Sequence, residues 1–345
     1  MSRILVITPS WLGDIVMMQS LLKVLKKQDE RNIIDVYAPE YSLPILKRME
    51  EINDILINPF AHGSFDLKKR FLEGRRLKKY GYDTCFVLPN SMKSALIALF
   101  AGIKDRRGFK GESRYFVLNN IRCNKQDYPR MVDRYVALAF PKDKVKNSAD
   151  LPEFDYPALT VQAPSDKLLN RLGIKSSRPL MALGCGANYG PAKLWPVEYF
   201  AEVSHWWISH GGAVLALGTK QDGKTVEAIK QHLSCNEDLP FFHDVAGQTS
   251  IEEALDLTAF CKAAVCNDSG LMHTCAAASV PQIDIFGSTS TVYTPPLSKI
   301  AVCIESDESC HPCFKRTCKY GTYSCLKKIQ PQKVIEKLKE LIHAI

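Results

Sequence analysis

The chain carries two acidic turns, one in each half, and each closes an apolar run and opens a helical pattern. RILVITPSWLGDIVMMQSLLKVL places Asp14 at the first turn, and KAAVCNDSGLMHTCAAA places Asp268 at the second. A short β-branched run followed by a segment of 3.6-residue period is half of a βαβ unit. The carboxyl ends of parallel strands are where open α/β sheets bind ligands. The pattern predicts an α/β protein of two Rossmann-like, doubly wound domains facing a central cleft. One half would hold a nucleotide-linked donor, the other an acceptor and a base.

Length agrees, since 345 residues are long for one core. With 46% apolar and 24% charged residues the chain reads as globular rather than disordered. No apolar run reaches the roughly 18 residues of a spanning helix. The amino terminus, broken by Pro9, Trp11 and Asp14, does not read as a signal peptide. A cytoplasmic location with reduced thiols is therefore expected, despite twelve cysteines. Charge is lopsided: residues 1–150 carry 27 Lys and Arg against 17 Asp and Glu, and residues 151–345 carry 18 against 20. A large anionic partner, whether nucleic acid or a lipid surface, should meet the first half. Lys68-Lys69-Arg70, Arg75-Arg76, Lys78-Lys79 and Arg106-Arg107 are the candidate clusters, and a merely solvated helix face is the bland alternative for each.

The first half alternates ILVIT, IIDVYA and TCFVLP with helical segments over 15–27, 41–47 and 92–100, and a helix over 131–140 closes it. Residues 151–165 are Pro-rich and aperiodic, so they read as a linker between a first domain over 1–150 and a second over 166–330. The second half repeats the alternation and ends in an amphipathic helix within 331–345.

Asp268, Ser269 and Gly270 stand at a helix N-terminus, where free backbone N–H groups and the helix dipole suit a pyrophosphate. His273 on the first turn would donate to it; alternatively Asp268 is a cap and His273 a helix residue. Asp14 has the same two readings, cap or general base. Residues 184–196, GCGANYGPAKLWP, offer glycine-rich backbone with Gly186 and Ala187, plus one cation, Lys193. The P-loop spacing is absent, and no G-x-G-x-x-G follows the first strand, which counts against a dinucleotide dehydrogenase. Gly218 and Asp222, beyond GAVLALG, are candidates for a ribose or base contact. Cys310, Cys313, Cys318 and Cys325 form C-x2-C-x4-C-x6-C, which reads either as a structural zinc site or as free thiols.

At TPSWLGDIVMMQSL, LPNSMKSALIALFAGI, GPAKLWP and NDSGLMHTCAA, in order and through nearly the whole chain, the sequence resembles the ADP-heptose:lipopolysaccharide heptosyltransferases. The Ser-Trp-Leu-Gly-Asp turn, where first-heptose enzymes have Ser-Leu-Gly-Asp, is similar to the branch that adds the second inner-core heptose. A first- or later-heptose transferase is the alternative within the family, and a non-catalytic nucleotide- or polyanion-binding protein the alternative outside it. The resemblance implies a GT-B fold, ADP-heptose as donor, inverting transfer, and no catalytic metal or cofactor. It implies Asp14 as general base and Lys193 as the phosphate-contacting cation. Asp268, Ser269, Gly270 and His273 would hold the pyrophosphate, with Gly186, Ala187, Gly218, Asp222 and Thr249 completing the donor side. The acceptor would be heptosyl-Kdo2-lipid A, met peripherally at the cytoplasmic face of the inner membrane, with no role for nucleic acid. Ser10, Trp11, Asn90, Ser91 and Lys93 are the expected acceptor contacts, followed by Arg106, Arg107 and Arg114.

Overall fold

The structure, a computed structural model, describes residues 1–61, 63–174, 177–233 and 236–343. Two compact units, Met1–Pro157 and Ala158–Ile345, divide within the Pro-rich stretch. In the first unit the strands are β1 (Arg3–Ile7), β2 (Ile33–Ala38), β3 (Asp54–Ile57), β4 (Thr84–Val87), β5 (Asp105–Phe109) and β6 (Asn120–Arg122). Its helices are α1 (Leu12–Gln28), α2 (Leu43–Leu46), α3 (Leu67–Leu77), α4 (Met92–Phe100) and α5 (Met131–Ala137). The second unit has β7 (Leu180–Gly184), β8 (Ala213–Ala216), β9 (Phe242–Asp244), β10 (Ala263–Asn267), β11 (Gln282–Phe286) and β12 (Ala301–Glu305). Around them lie α6 (Asp166–Arg171), α7 (Val197–Ser209), α8 (Gly223–Gln231), α9 (Ile251–Ala259), α10 (Gly270–Ala277), α11 (Ser324–Lys327) and α12 (Pro331–His343).

Each unit is one six-stranded sheet, and the two share a topology. The first runs β3-β2-β1-β4-β5-β6 and the second β12-β11-β10-β7-β8-β9, which is the same order read from the opposite edge. Every pairing in both ladders is parallel, with Leu5 opposite Asp35 and Cys85, and Val265 opposite Leu183 and Ile283. This is the Rossmann strand order, so each unit is a doubly wound domain. Helices cover both faces of such a sheet, so its central strands can be apolar throughout. Accordingly β7, β10 and β11 are buried at every residue.

In this order the chain reverses direction between β1 and β4 in the first sheet and between β7 and β10 in the second. The loops leaving those strands line a crevice at their carboxyl ends. Asp14 and residues 88–91 flank the first crevice; residues 184–196 and Asp268 flank the second. The sequence pattern differs from the fold mainly at edges. β3, β5, β6 and β12 were not expected, nor was α3, which carries two of the four basic clusters. The last helix is part of the second unit's core, with Val334 and Leu338 fully buried among Trp207, Ile304 and Ile329.

Candidate active site

In the second unit a buried amide organises the crevice. Asn267, the last residue of β10, donates from Nδ2 to the Cys185 carbonyl at 2.7 Å and accepts at Oδ1 from the Trp195 N–H at 3.1 Å. It thereby ties the ends of β10 and β7 to the far side of the 184–196 loop. Trp195 is itself anchored, its indole N–H donating to the Ile329 carbonyl at 2.8 Å. The short turn Pro191–Lys193 then delivers Lys193 to Asp268, with Nζ 2.5 Å from Oδ2. The Thr289 hydroxyl donates to the same oxygen at 2.5 Å. Both charges are largely out of water, so each depends on the other.

Asp268 leads into the N-terminus of α10, whose N-cap is Ser269 and whose first residue is Gly270. Ser269 makes no side-chain bond to the helix, and the first N–H groups of a helix have no intrahelical acceptor. His273 follows within the first turn. Burial, reinforced by Lys193 and opposed by Asp268, pushes its imidazole down to about 4. It is therefore neutral near pH 7 and has one N–H to give. Among the described residues His273 Nδ1 has no hydrogen-bond partner. Asp284, opposite Cys266 in the ladder, is also fully buried, and burial drives its carboxyl well above the usual range.

Beside this lies a cradle built by two glycines. A Cβ on Gly186 would stand 2.3 Å from the Asp222 carboxylate, and one on Gly218 2.9 Å from the Asp222 Cβ. Asp222 closes a capping box, its Oδ2 accepting from the Thr219 N–H and hydroxyl, both at 2.7 Å. Ala187 follows Gly186 in the same loop, and Thr249 sits half-buried immediately before Ser250, the cap of α9.

In the first unit α1 begins at Leu12, so Asp14 lies inside its first turn and not at a cap before Ile15. The Tyr135 hydroxyl, from α5, donates to Asp14 Oδ1 at 3.2 Å. Tyr41 donates its hydroxyl to the Ser10 carbonyl, which fixes the turn ahead of Asp14 and leaves Trp11 half exposed. Across the crevice Asn90 is exposed, Ser91 shares a hydrogen bond with Ser94 at 2.8 Å, and Lys93 is half-buried in the first turn of α4.

Three basic residues expected to reach an acceptor are spent inside the fold. Arg114 is fully buried and donates to the carbonyls of Pro89, Ser91 and Phe109 at 2.6, 3.3 and 2.5 Å. Burial lowers it to about 10, which leaves it a cation that braces the β4 loop from behind. Arg106 donates to the carbonyls of Val117 and Ile103, and Arg107 pairs with Asp105 and donates to Leu138. Of the two readings of the four-cysteine loop, the structural zinc site finds no support in the structure. Among the described residues no group of three or more His, Cys, Asp or Glu side chains could hold a metal ion. Cys325 lies in α11, near enough to the thiols of Cys310, Cys313 and Cys318 for them to reinforce the upward push of burial on its own, and those three ride the preceding loop. That loop is held by Phe314 N–H on the Ser288 carbonyl, Tyr189 hydroxyl on the Phe314 carbonyl, and Ala192 N–H on the Arg316 carbonyl.

Comparison with known proteins decides the family, because the model for glycosyltransferase family 9 (heptosyltransferase) matches residues 70–324. The chain belongs to this family. It is 43% identical over 346 residues to lipooligosaccharide heptosyltransferase 2 of Haemophilus influenzae, covering 99% of each chain. It is 39% identical over 343 residues to lipopolysaccharide heptosyltransferase 2 of Escherichia coli, covering 99% of this chain and 98% of that one. Among solved structures, the E. coli ADP-heptose lps heptosyltransferase II superposes with a TM-score of 0.88 at 38% identity, covering 99% of both chains. As a family 9 heptosyltransferase, the chain is a glycosyltransferase with one crevice in each unit. Tyr135 and Thr289, which donate to Asp14 and Asp268, lie outside the motifs legible in the sequence, and Asn267 lies inside one of them without having been singled out.

Proposed function

We propose that the protein is an inverting transferase of the heptosyltransferase II type. It moves L-glycero-D-manno-heptose from ADP-heptose to the first heptose of the lipopolysaccharide inner core. The observation that carries the donor side is the Lys193–Asp268 pair at the N-terminus of α10. An ADP diphosphate arriving there meets an ammonium, free helix N–H groups and the neutral imidazole of His273. Gly186, Ala187, Gly218, Asp222 and Thr249 line the same edge for the nucleoside. The names of the relatives, at about 40% identity over the full chain, support the same donor and acceptor.

Asp14 is the base. It takes the proton of the acceptor hydroxyl as that oxygen attacks the anomeric carbon from the face opposite ADP, and the bond to the diphosphate oxygen breaks. The charge released on ADP falls on Lys193 and the α10 N–H groups. Tyr135, donating to Asp14 Oδ1 at 3.2 Å, steadies the carboxylate in the first turn of α1. Ser10, Trp11, Asn90, Ser91 and Lys93 surround that position as acceptor contacts. The acceptor is heptosyl-Kdo2-lipid A, and the enzyme works peripherally at the cytoplasmic face of the inner membrane. No helix among the described residues is long and apolar enough to cross a membrane.

The test is a mass-spectrometric transfer assay with ADP-L-glycero-β-D-manno-heptose and two acceptors, Kdo2-lipid A and the same molecule already bearing one heptose. A gain of one heptose on the second acceptor alone is expected. A gain on Kdo2-lipid A would reassign the chain to first-heptose transfer, and no gain on either would reject this donor–acceptor pair.

A further inference from the structure

Helix α3 turns its apolar side chains the wrong way for a core element. Its buried face is narrow and consists of Arg70, Gly74 and Leu77. Gly74 is required there, since a Cβ would stand 2.4 Å from the Phe100 Cβ and would push α3 off α4. Arg70 locks the helix start by donating to the carbonyls of Ser64, Phe65 and Lys93 at 2.8, 2.8 and 3.1 Å. The platform is fixed. On its outward side Lys68, Phe71, Leu72 and Arg75 recur at i, i+3, i+4 and i+7, the spacing of a single helix face, and the exposed Lys79 follows in the 3-10 turn that ends it. Leu72 is 58% exposed and Phe71 48%, although Phe71 also makes an edge contact with Phe100 at 5.4 Å. Phe65 and Leu67, where the chain enters the helix, are 54% and 49% exposed.

Acidic residues do not cancel this face. Asp66 is occupied as the N-cap, accepting from the Lys69 N–H at 2.9 Å, and Glu73 is held by both arms of Arg76. A second apolar projection belongs to the same end of the unit. Phe116, 95% exposed, rides the loop between β5 and β6, whose Glu112 accepts from the Met92 N–H at the start of α4. That is the helix against which α3 packs.

We propose that the outward face of α3 is a docking surface for an anionic lipid bilayer. Phe65, Phe71 and Leu72 enter the headgroup–acyl boundary, and Lys68, Arg75 and Lys79 meet headgroup phosphates. Large apolar side chains interleaved with Lys and Arg on one helix face are the composition that lies in a membrane interface. The charge also chooses between occupants. A second copy would bring the same cations against themselves, whereas anionic lipid neutralises them. Phosphate-bearing headgroups beside α4 would present a lipid-linked acceptor at the crevice of Asn90 and Ser91.

The test uses the full chain and vesicles of phosphatidylcholine, with and without phosphatidylglycerol. Wild type should co-sediment with the anionic vesicles, weakly with the neutral ones, and progressively less as salt is raised. Phe71→Ser/Leu72→Ser and Lys68→Glu/Arg75→Glu should each partition about tenfold less or weaker still, with unchanged Tm and unchanged ADP affinity. Equal sedimentation of wild type and variants overturns the proposal, as does a wild type that ignores anionic lipid. A concentration-dependent dimer, abolished by the same variants, would make this face a self-association surface instead. A second arm rests on the transferase reading. Phe71→Ser/Leu72→Ser should transfer normally to a soluble, delipidated acceptor and slowly to the vesicle-borne one. Loss on both, with normal sedimentation, would count against the docking surface. A wild type inactive on both would count against the transferase reading alone.

Discussion

At the scale of single residues the site depends on charges that hold one another in place. Lys193 and Asp268 are each shielded from water and 2.5 Å apart, so removing one strands the other. Lys193→Met should cost about 3 kcal/mol of stability by leaving Asp268 buried without its cation. The double variant Lys193→Met/Asp268→Asn should recover most of that in thermal denaturation, while donor turnover stays reduced by about a hundredfold or more in both. Recovery of turnover along with stability would remove the phosphate role of Lys193. His273 gives a pH signature. Its folded pKa, about 4, lies below the ordinary 6.5. Between those values the unfolded chain binds the proton and the folded one resists it, so stability should fall as pH drops from 6.5 towards 4. His273→Gln should flatten that decline by up to about 3 kcal/mol, measured by denaturant titration at pH 7 and pH 4.5. An unchanged slope would mean the imidazole is not buried neutral. Asp14, Asp268 and Lys193 were legible because each follows an apolar strand into a turn. Tyr135 and Thr289 were not, because a hydroxyl arriving from another element leaves no local pattern.

At the scale of elements, the readable parts were those with an apolar run and a period. α4 was expected over 92–100, and it formed over those residues. β5 and β6 escaped notice because DRRGF and NIR carry no apolar run; they pair at the sheet's edge, stabilised by neighbours rather than by their own side chains. The same context misled the reading of three arginines. Arg106, Arg107 and Arg114 were expected among the acceptor contacts, yet Arg106 and Arg114 tie down the loop between β5 and β6, and Arg107 pairs with Asp105 and reaches the Leu138 carbonyl. Gly111 shows how closely that loop is laid down, since a Cβ there would stand 1.9 Å from the Asn90 carbonyl. Arg114→Ala would take the donor from the buried Phe109 carbonyl and from the part-buried carbonyls of Pro89 and Ser91, and should cost about 3 kcal/mol. The expected outcome is a lower Tm with an ordinary acceptor KM in whatever remains folded. A selective rise in KM at unchanged Tm would instead return Arg114 to the acceptor. The cysteine loop is a parallel case: spacing suggested a metal, and the fold fastens the loop by backbone bonds beside Lys193 and Thr289.

At the scale of the whole molecule, one topology is used twice. Each unit has its own sheet, and each sheet reverses direction beside an acidic turn, but Asp14 follows the first strand of its sheet, β1, whereas Asp268 follows the fourth of its own, β10, the two strands that flank the reversal. That duplication was visible in the sequence as two strand–turn–helix motifs; which turn serves as base and which as phosphate site came from the resemblance and the local chemistry. The account makes Asp14 responsible for the proton and the second unit responsible for ADP, and these duties are separable. The measurement that tests this most directly compares wild type with Asp14→Asn by calorimetric titration of ADP and single-turnover heptose transfer on the same preparations. The account predicts an ADP Kd within about threefold of wild type and a transfer rate lower by about a hundredfold or more. Transfer at the wild-type rate, with ADP bound normally, would contradict it.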